Sequence, residues 1–322
     1  MDRLIVTGGA GFIGSNLVRS LNALGSDRIL IVDHLNHPGK EANLKPLRFE
    51  DVIDKNRFRE LIRAERVPKV SAVFHLGACS STTVTDERYL QDNNTEYTRE
   101  LCEWALRHGV RFIYASSAAT YGDGRRGYSD DDAVTPTLEP LNAYGRSKHQ
   151  FDLWALHSGA IRQIAGLKYF NVYGPGESHK GEMRSMVHKS FHQVQQEGTI
   201  RLFRSYRPDV RDGEQKRDFV YVEDAVAMTL FFFEHPEVSG LFNCGTGVAR
   251  TWLDLAHAVF SAMGREPKIE FVEMPPAIRA AYQYFTQADM TKARRAGYTR
   301  PFCSLEEGVR RYIQTDLMPR TS

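Results

Sequence analysis

A phenol and an ammonium group stand four residues apart in the segment Tyr144-Gly-Arg-Ser-Lys148. On a helix, residues at i and i+4 lie on the same face, so these two side chains can act together. A free tyrosine, with a pKa of about 10, is a poor base at neutral pH. A nearby lysine cation and a positively charged cofactor ring both favour the phenolate, so we expect Lys148 and such a ring together to lower the pKa of Tyr144 towards the working range of an acid/base catalyst. Ser117 ends a strand-like run and offers a hydrogen bond to a reacting hydroxyl.

A glycine-rich turn, Thr7-Gly8-Gly-Ala-Gly11-Phe-Ile-Gly14, stands between a strand-like run and a segment of helical periodicity. Gly8 permits a tight turn, Gly11 lets the backbone approach a pyrophosphate, and Gly14 allows close packing of helix against strand. The N-terminus of the following helix supplies free N–H groups and a partial positive charge. Asp33 ends the next strand, 19 residues after Gly14, where it can meet an adenosine ribose. This context favours dinucleotide binding over a plain surface turn.

Short apolar runs alternate with segments of helical periodicity through the first half of the chain. The runs do not alternate strictly between apolar and polar residues, which is typical of strands buried on both faces of a sheet. We predict strands at Leu4–Thr7, Arg28–Asp33, Ala72–Leu76 and Phe112–Ser116, and helices at Phe12–Leu24 and Arg88–His108. This order predicts an α/β fold, a Rossmann-like doubly wound parallel sheet with a smaller C-terminal α/β substrate-binding lobe.

The second half of the chain is less regular. Glycine and proline interrupt it at Gly174–Gly176 and Pro275–Pro276. Two Ser/Thr-x-x-acid patterns, Thr251–Asp254 and Ser304–Glu307, predict helix starts. We place a nicotinamide dinucleotide domain in residues 1–172, with 218–246 returning to it, and the substrate-binding lobe in 173–322.

Composition excludes several classes of protein. The formal net charge of +2 is too small to indicate nucleic-acid or membrane binding. The four cysteines form no CxxC pair, which argues against a disulfide framework and against a metal site. Without a signal segment or a long apolar stretch, we expect a cytoplasmic protein.

Three blocks in this order, TGGAGFIG, ASSAATYG and YGRSK, resemble the extended short-chain dehydrogenase/reductase family, which includes nucleotide-sugar epimerases and dehydratases. Further blocks are similar to members that invert C6 of an ADP-linked heptose for lipopolysaccharide cores. These blocks are Phe74–Thr83, Asp92–Asn94, Lys168–Pro175, His179–Gly181, Lys216–Val222 and Tyr284–Asp289. The resemblance covers the whole chain and implies epimerisation of such a sugar, with NADP as cofactor, in a homo-oligomer, a pentamer.

The resemblance also implies the roles of individual residues. Tyr144 is the acid/base and Lys148 the cofactor anchor, with Ser117 beside them. Lys180 is a second acid/base, which suits the chemistry because inverting a carbinol requires hydride delivery to the opposite face of a ketone. Without the resemblance, Lys180 reads as a solvated loop lysine.

The cofactor contacts that the resemblance implies are an adenosine-side group, a nicotinamide-side group and four further residues. The adenosine and phosphate contacts are Gly8, Gly11, Phe12, Gly14, Asp33, His34, Lys40 and Lys55. The nicotinamide-side contacts are Leu76, Gly77, Ala78, Cys79, Ser80 and Asn93, and Tyr144, Lys148, Val172 and Lys180 complete the set. Asp33 taken alone favours NAD, because its charge repels a 2′-phosphate. His34 with two lysines that converge on one pocket favours NADP.

Substrate contacts are implied mainly in the second lobe: Asn171, Glu182, Lys189, Phe203, Arg204, Ser205, Tyr206, Arg217 and Tyr282. Guanidinium groups in the basic run from Arg201 to Arg217 suit a pyrophosphate, although such a run is also typical of a solvated face. Some members have a small polar residue in place of Glu182 and a histidine in place of Lys189. The loop 206–215 is longer than in some members.

Three alternatives remain. A 4,6-dehydratase has Asp-Glu after the active-site hydroxyl residue, whereas Ala118 and Ala119 follow Ser117 here. A UDP-sugar 4-epimerase needs only one tyrosine as its acid/base, and in that case Lys180 has no catalytic role. A non-catalytic NADP-binding scaffold has no need of the activated phenol that Tyr144 and Lys148 predict.

Overall fold

A seven-stranded parallel sheet lies at the centre of the computed structural model, which describes residues 2–35, 37–279 and 282–318. Its strand order is β10-β6-β5-β4-β1-β2-β3. These strands are β1 Leu4–Thr7, β2 Ile29–Asp33, β3 Asp51–Asp54, β4 Ala72–His75, β5 Arg111–Ser117, β6 Ala165–Tyr169 and β10 Gly240–Cys244. The predicted Rossmann-like doubly wound sheet is confirmed, and each of the four predicted strands is present with its ends within one residue of the prediction.

Two smaller sheets lie beyond the central one. A three-stranded sheet has the order β11-β9-β7, with β7 Asn171–Tyr173, β9 Lys216–Tyr221 and β11 Ala249–Thr251. A two-stranded parallel sheet pairs β8 Ile200–Phe203 with β12 Ile269–Val272. The segment 218–246 contributes to both the small three-stranded sheet and, through β10, the edge of the central sheet. The division at residue 172 stays a prediction.

The helices are α1 Phe12–Ala23, α2 Pro38–Leu44, α3 Lys55–Arg63, α4 Glu87–Leu90, α5 Tyr97–Arg107, α6 Ala143–His157, α7 Met186–Glu197, α8 Val222–Glu234, α9 Trp252–Ala262, α10 Pro276–Arg279, α11 Thr291–Arg295 and α12 Leu305–Tyr312. Short 3-10 turns occupy Ala118–Tyr121, Thr135–Thr137, Ala160–Arg162 and Ser178–Met183. Two π-helical turns occupy Gln91–Glu96 and Ile313–Leu317. No helix in the described ranges is both long and apolar enough to cross a membrane.

Both faces of the central sheet are covered by helices. Leu4 and Val6 of β1 pack into the core on the side of α1 and α8, whereas Ile5 packs on the side of α3, α5 and α6. The neighbouring strand β2 alternates in the same way. Its Ile31 packs on the side of α1 and α8, and its Val32 packs on the side of α3, α5 and α6. Because both faces of the sheet are covered, successive residues within β1 and β2 are apolar up to the last position of each strand, which is why these runs show no alternation.

The predicted helix Arg88–His108 is confirmed as a helical segment, but a π-turn interrupts its α-helical hydrogen bonding. The chain forms α4, then the π-turn Gln91–Glu96, then α5. The wider turn directs Asn94 and Thr95 inwards, where Asn94 Nδ2 donates to Ser147 Oγ (3.0 Å) and Thr95 Oγ1 to the Ser147 carbonyl (2.8 Å). Helical periodicity in sequence cannot distinguish this turn from regular helix, since π-turns insert within α-helices.

The two predicted helix starts are confirmed. Thr251 Oγ1 accepts from the Asp254 N–H, and the Asp254 carboxylate accepts from the Thr251 N–H, both at 2.9 Å. This reciprocal pair is a complete capping box at the start of α9. Ser304 Oγ accepts from the Glu307 N–H (3.2 Å) at the start of α12.

Candidate active site

A cleft of about 810 Å³ lies at the carboxyl ends of the central strands. The last residues of four strands line it: Thr7 of β1, Asp33 of β2, Ser117 of β5 and Tyr169 of β6. In open α/β sheets, ligands bind at this edge because the strand ends and helix N-termini face outward there. Its size suits a dinucleotide and a small substrate together.

The glycine loop is built so closely that side chains would not fit. A Cβ on Gly14 would lie 2.1 Å from the Gly8 carbonyl oxygen, and a Cβ on Gly8 would lie 2.7 Å from the Gly77 nitrogen. Gly8 also has φ +69°, a left-handed conformation that favours glycine. The loop therefore leaves the N-terminus of α1 open to an anion, and these residues fit a dinucleotide pyrophosphate.

Both carboxylate oxygens of Asp33 accept hydrogen bonds. Oδ2 accepts from the Ala10 N–H (2.9 Å), while Oδ1 accepts from the His34 N–H (2.7 Å) and from Lys40 Nζ (2.8 Å). The Asp33–Lys40 ion pair is largely withdrawn from solvent. The negative charge of Asp33 at the adenosine end of the cleft is therefore compensated by the protein itself.

The other predicted adenosine-side residues have separate partners. Lys55 Nζ donates to Asn93 Oδ1 (2.6 Å) and lies 5.6 Å from the Tyr89 ring centroid. His34 Nδ1 lies 3.0 Å from Asp54 Oδ2, and this hydrogen bond lowers the pKa of Asp54. Lys40 and Lys55 line the same cleft, but they do not share a partner.

Tyr144 and Lys148 lie on α6, whose N-terminus is capped by the Asn142 side chain accepting from the Gly145 N–H (2.8 Å). Lys148 is buried and its Nζ donates to the Ala115 carbonyl of β5 (2.8 Å). Burial lowers the pKa of Lys148 to about 8, although the Asp152 carboxylate acts in the opposite direction.

Lys148 by itself does not lower the pKa of Tyr144, and the lowering expected from Lys148 together with a cofactor ring stays a prediction. Burial is the larger effect and raises the pKa of Tyr144, because a low-polarity environment disfavours the phenolate. A hydrogen bond with Ser117 opposes this rise only in part. Lys148 is directed at the Ala115 carbonyl, so its charge does not offset the desolvation of the phenol.

Lys180 lines the same cleft and lies in the 3-10 turn Ser178–Met183. Its side chain is half-buried, with Nζ 5.1 Å from the Phe12 ring centroid. Burial lowers the pKa of Lys180, and the Glu177 carboxylate opposes that shift. Tyr144 and Lys180, which are far apart in sequence, thus line one cavity.

The nicotinamide-side residues Leu76, Gly77, Ala78, Cys79, Ser80 and Asn93 also line the cleft, as do Val172 and the predicted substrate contact Asn171. Asn94 was missed by the sequence analysis, although it follows Asn93 directly. Its Oδ1 accepts from the Cys79 N–H (2.8 Å) and its Nδ2 donates to Ser147 Oγ on α6. Asn94 therefore ties the loop after β4 to the helix that carries Tyr144. Its only signal in the sequence is its place in the Asp92–Asn94 block.

Arg217 is buried in an aromatic cluster beside the cleft. Its guanidinium carbon lies 5.6 Å from the Trp252 ring centroid and 5.2 Å from that of Tyr282, and Nη1 donates to the Lys216 carbonyl (2.8 Å). Trp252 Nε1 donates to the Tyr282 hydroxyl (2.9 Å), and Phe203 packs edge-on against Tyr282. The cluster adjoins the cleft through Trp252. None of the described contacts of Arg217 is a carboxylate.

The remaining predicted substrate residues lie outside the cleft lining. Arg204 pairs with Asp212 (3.3 Å), and the same carboxylate accepts from the Ser205 N–H (2.7 Å). The Tyr206 hydroxyl donates to the Glu273 carboxylate. Lys189 Nζ donates to the Glu182 carbonyl (2.6 Å), and the Glu182 side chain is 94% exposed. The structure does not bring these five side chains together with Tyr144.

Among the described residues, no cluster of histidine, cysteine and carboxylate side chains is arranged to hold a metal ion.

The NAD dependent epimerase/dehydratase family model matches residues 4–245. The chain is 52% identical over 311 residues to an ADP-L-glycero-D-manno-heptose-6-epimerase of Nitratidesulfovibrio vulgaris, covering 96% of each chain. It is 45% identical to the Fusobacterium nucleatum protein of that name, covering 99% of each. The crystal structure of the Helicobacter pylori protein of that name matches with a TM-score of 0.82 and 28% identity, covering 97% of this chain and 96% of that one. The chain therefore belongs to the NAD dependent epimerase/dehydratase family, whose members use a nicotinamide cofactor.

Proposed function

We propose that this chain is an NADP-dependent epimerase that converts ADP-D-glycero-D-manno-heptose to ADP-L-glycero-D-manno-heptose. The observation that carries the proposal is that two proton-transfer groups, Tyr144 and Lys180, line one cleft above a glycine cradle. The proteins of this name that are 45% to 52% identical over nearly the whole chain support the choice of substrate.

A nicotinamide cofactor held by the glycine loop and Lys148 would supply the hydride acceptor and donor that inversion at C6 of the heptose requires. Tyr144 and Lys180 exchange the hydroxyl proton, each on its own side of the carbon. Ser117 orients the reacting oxygen by a hydrogen bond. Lys148, held by the Ala115 carbonyl, anchors the cofactor.

NADP is favoured by the charges around Asp33. The Asp33 carboxylate is already paired with Lys40, so its repulsion of a 2′-phosphate is weakened. Lys55 is bound only to a neutral amide oxygen, which leaves its positive charge uncompensated by that partner. Each charge-assisted contact to phosphate contributes about 1.5–3 kcal/mol, which supports a 2′-phosphate site between the two lysines.

Arg217 is suited to the substrate's anionic diphosphate. A buried guanidinium whose described contacts contain no carboxylate has capacity for an anion. The neighbouring rings of Trp252 and Tyr282 hold it in place. Asn171 at the cleft completes the proposed substrate contacts. Closure over the substrate is required for Arg204 and Tyr206 to join them.

The direct test is to incubate the protein with a panel of nucleotide sugars and follow epimer ratios by NMR. Interconversion of the two ADP-heptoses is expected. Interconversion of UDP-glucose and UDP-galactose instead would favour the 4-epimerase alternative. Bound cofactor without turnover of any sugar would favour the scaffold.

The cofactor is identified by releasing it from the purified protein and analysing it by mass spectrometry. NADP is expected, and its binding affinity should fall in Lys40→Ala and Lys55→Ala. Recovery of NAD alone would refute the preference.

The homo-oligomeric state and the cytoplasmic location stay predictions, and light scattering of the purified protein tests the pentamer.

A further inference from the structure

The loop that carries Lys180 is closed at its base by a buried carboxylate. Glu177 has no solvent exposure, and its two oxygens accept from Ser185 at the other end of the loop. Oε1 accepts from Ser185 Oγ (2.6 Å) and Oε2 from the Ser185 N–H (2.5 Å). Ser185 in turn caps α7 by accepting from the His188 N–H (3.3 Å). Glu177 thus joins residues 177–185 into one closed loop anchored on a helix.

Contacts inside the loop determine where Lys180 stands. The Lys180 N–H donates to the Glu177 carbonyl (3.0 Å), so the backbone of Glu177 begins the turn that its side chain closes. Gly181 follows with φ +53°, and its carbonyl accepts from Arg184 Nε (2.7 Å). The turn places Lys180 at the inner side of the loop, over the Phe12 ring.

The segment before Glu177 is bound to the glycine loop. Asn16 Nδ2 donates to the Pro175 carbonyl (2.8 Å), and Asn43 Nδ2 donates to both the Gly176 carbonyl (3.0 Å) and the Ala10 carbonyl (3.1 Å). Glu177 therefore lies between a segment fixed to the cofactor cradle and the loop that holds Lys180. Glu177 is therefore one of the side chains that set the distance from the cradle to Lys180.

Closing the loop does not by itself require a negative charge on Glu177. Its hydrogen-bond donors are neutral groups, namely Ser185, the Gly174 N–H (3.5 Å) and the Tyr312 hydroxyl. Burying a carboxylate among neutral donors is unfavourable compared with burying an amide. The Lys180 ammonium, however, is stabilised by this negative charge. The buried negative charge of Glu177 is explained if Lys180 must stay protonated.

We propose that Glu177 is the positioning residue of Lys180, holding its ammonium against the face of the substrate carbon opposite to Tyr144. This inference rests on the proposed function, in which Lys180 serves one face. Loss of Glu177 should therefore affect formation of one epimer and spare the other, which a general loss of stability would not do.

The experiment supplies the C6 ketone of the nucleotide-linked heptose together with reduced cofactor, and measures the two C6 epimers by NMR. Hydride goes from the cofactor to C6, and the oxygen takes its proton from Lys180 or Tyr144. Lys180→Met is the reference and should deplete one epimer. Glu177→Ala should deplete the same epimer, on the order of 10²-fold, the usual effect of misplacing a catalytic group by about 1 Å. Glu177→Gln, which keeps the size and some of the hydrogen bonds, should give an intermediate ratio.

Asp130→Asn is the matched control, because Asp130 is a buried carboxylate that accepts from the Asn243 N–H (2.7 Å) and does not line the cleft. It should change both epimers by the same factor. If Lys180→Met shifts the ratio and neither Glu177 variant does, the inference about Glu177 is overturned while the proposed function stands. If Lys180→Met itself leaves the ratio unchanged, the two-base function fails, and the inference with it. Should Glu177→Ala not fold, Glu177→Gln decides by the same comparison.

Discussion

Asp152 and Lys168 form an ion pair with no solvent exposure, in which Oδ2 and Nζ are 3.1 Å apart. The Asp152 carboxylate also accepts from the Tyr114 hydroxyl (2.9 Å) and from Ser116 Oγ (2.7 Å). Lys168 Nζ donates to Thr120 Oγ1 (2.6 Å). The pair connects α6, which carries Tyr144 and Lys148, to β5 and β6. It therefore fixes the orientation of the catalytic helix on the sheet.

Removing one member of this pair should be far more harmful than removing both. Asp152→Asn leaves the buried Lys168 cation without a counter-charge, and we expect a loss of about 3–5 kcal/mol in the free energy of unfolding. The double variant Asp152→Asn/Lys168→Met should recover most of that loss, because no uncompensated charge remains. Urea unfolding of the two variants measures the difference. A double variant as unstable as the single one would contradict the prediction.

The pH dependence of turnover should report the Lys148 ammonium. Burial lowers the pKa of Lys148 to about 8, and the Asp152 charge acts against that lowering. As the pH rises through about 8, Lys148 loses its proton and with it the positive charge that anchors the cofactor, so kcat should fall. In the single variant Asp152→Asn the opposing negative charge is absent, and the alkaline limb should move to lower pH. A profile of kcat against pH checks the sign, and a limb that moves upward would contradict it.

Tyr144→Phe should remove the phenolic proton exchange and leave the cofactor site intact. We expect kcat to fall by roughly 10²–10⁴, the usual contribution of a positioned acid/base. Bound cofactor content should not change. Tyr298→Phe is the matched control, since the Tyr298 hydroxyl is buried, has no hydrogen-bond partner among the described residues and lies outside the cleft. Turnover near that of the wild type in Tyr144→Phe would rule out the assignment.

A methyl group at Gly14 should prevent the glycine cradle from forming. Its Cβ would lie 2.1 Å from the Gly8 carbonyl oxygen, so the loop must open and cofactor binding should be lost. Gly264→Ala is the control, because Gly264 has φ +62° but open space around it. That change should cost only about 1–2 kcal/mol of stability, from the left-handed backbone alone. Cofactor content and thermal unfolding separate the two effects, and a Gly14→Ala protein that retains cofactor would refute the steric argument.

The sequence by itself determined the features that arise from neighbouring residues. The spacing of Gly8, Gly11 and Gly14 specifies a turn into a helix, and the spacing of Tyr144 and Lys148 specifies one helical face, because both depend only on local backbone geometry. Apolar runs located four of the buried strands, β1, β2, β4 and β5, to within a residue for the same reason, whereas the buried strands β6 and β10 were not predicted.

Only the tertiary structure decided which groups are buried and what they face. Asn16 bonds the Pro175 carbonyl across 159 residues of sequence, and no local pattern predicts such a contact. The same holds for the buried pair of Asp152 and Lys168 and for the closure of the Lys180 loop by Glu177. The tertiary structure also decides that the pKa of Tyr144 is raised, because desolvation depends on every group packed around the phenol. The spacing of Tyr144 and Lys148 along the helix indicates only which charge is near in sequence.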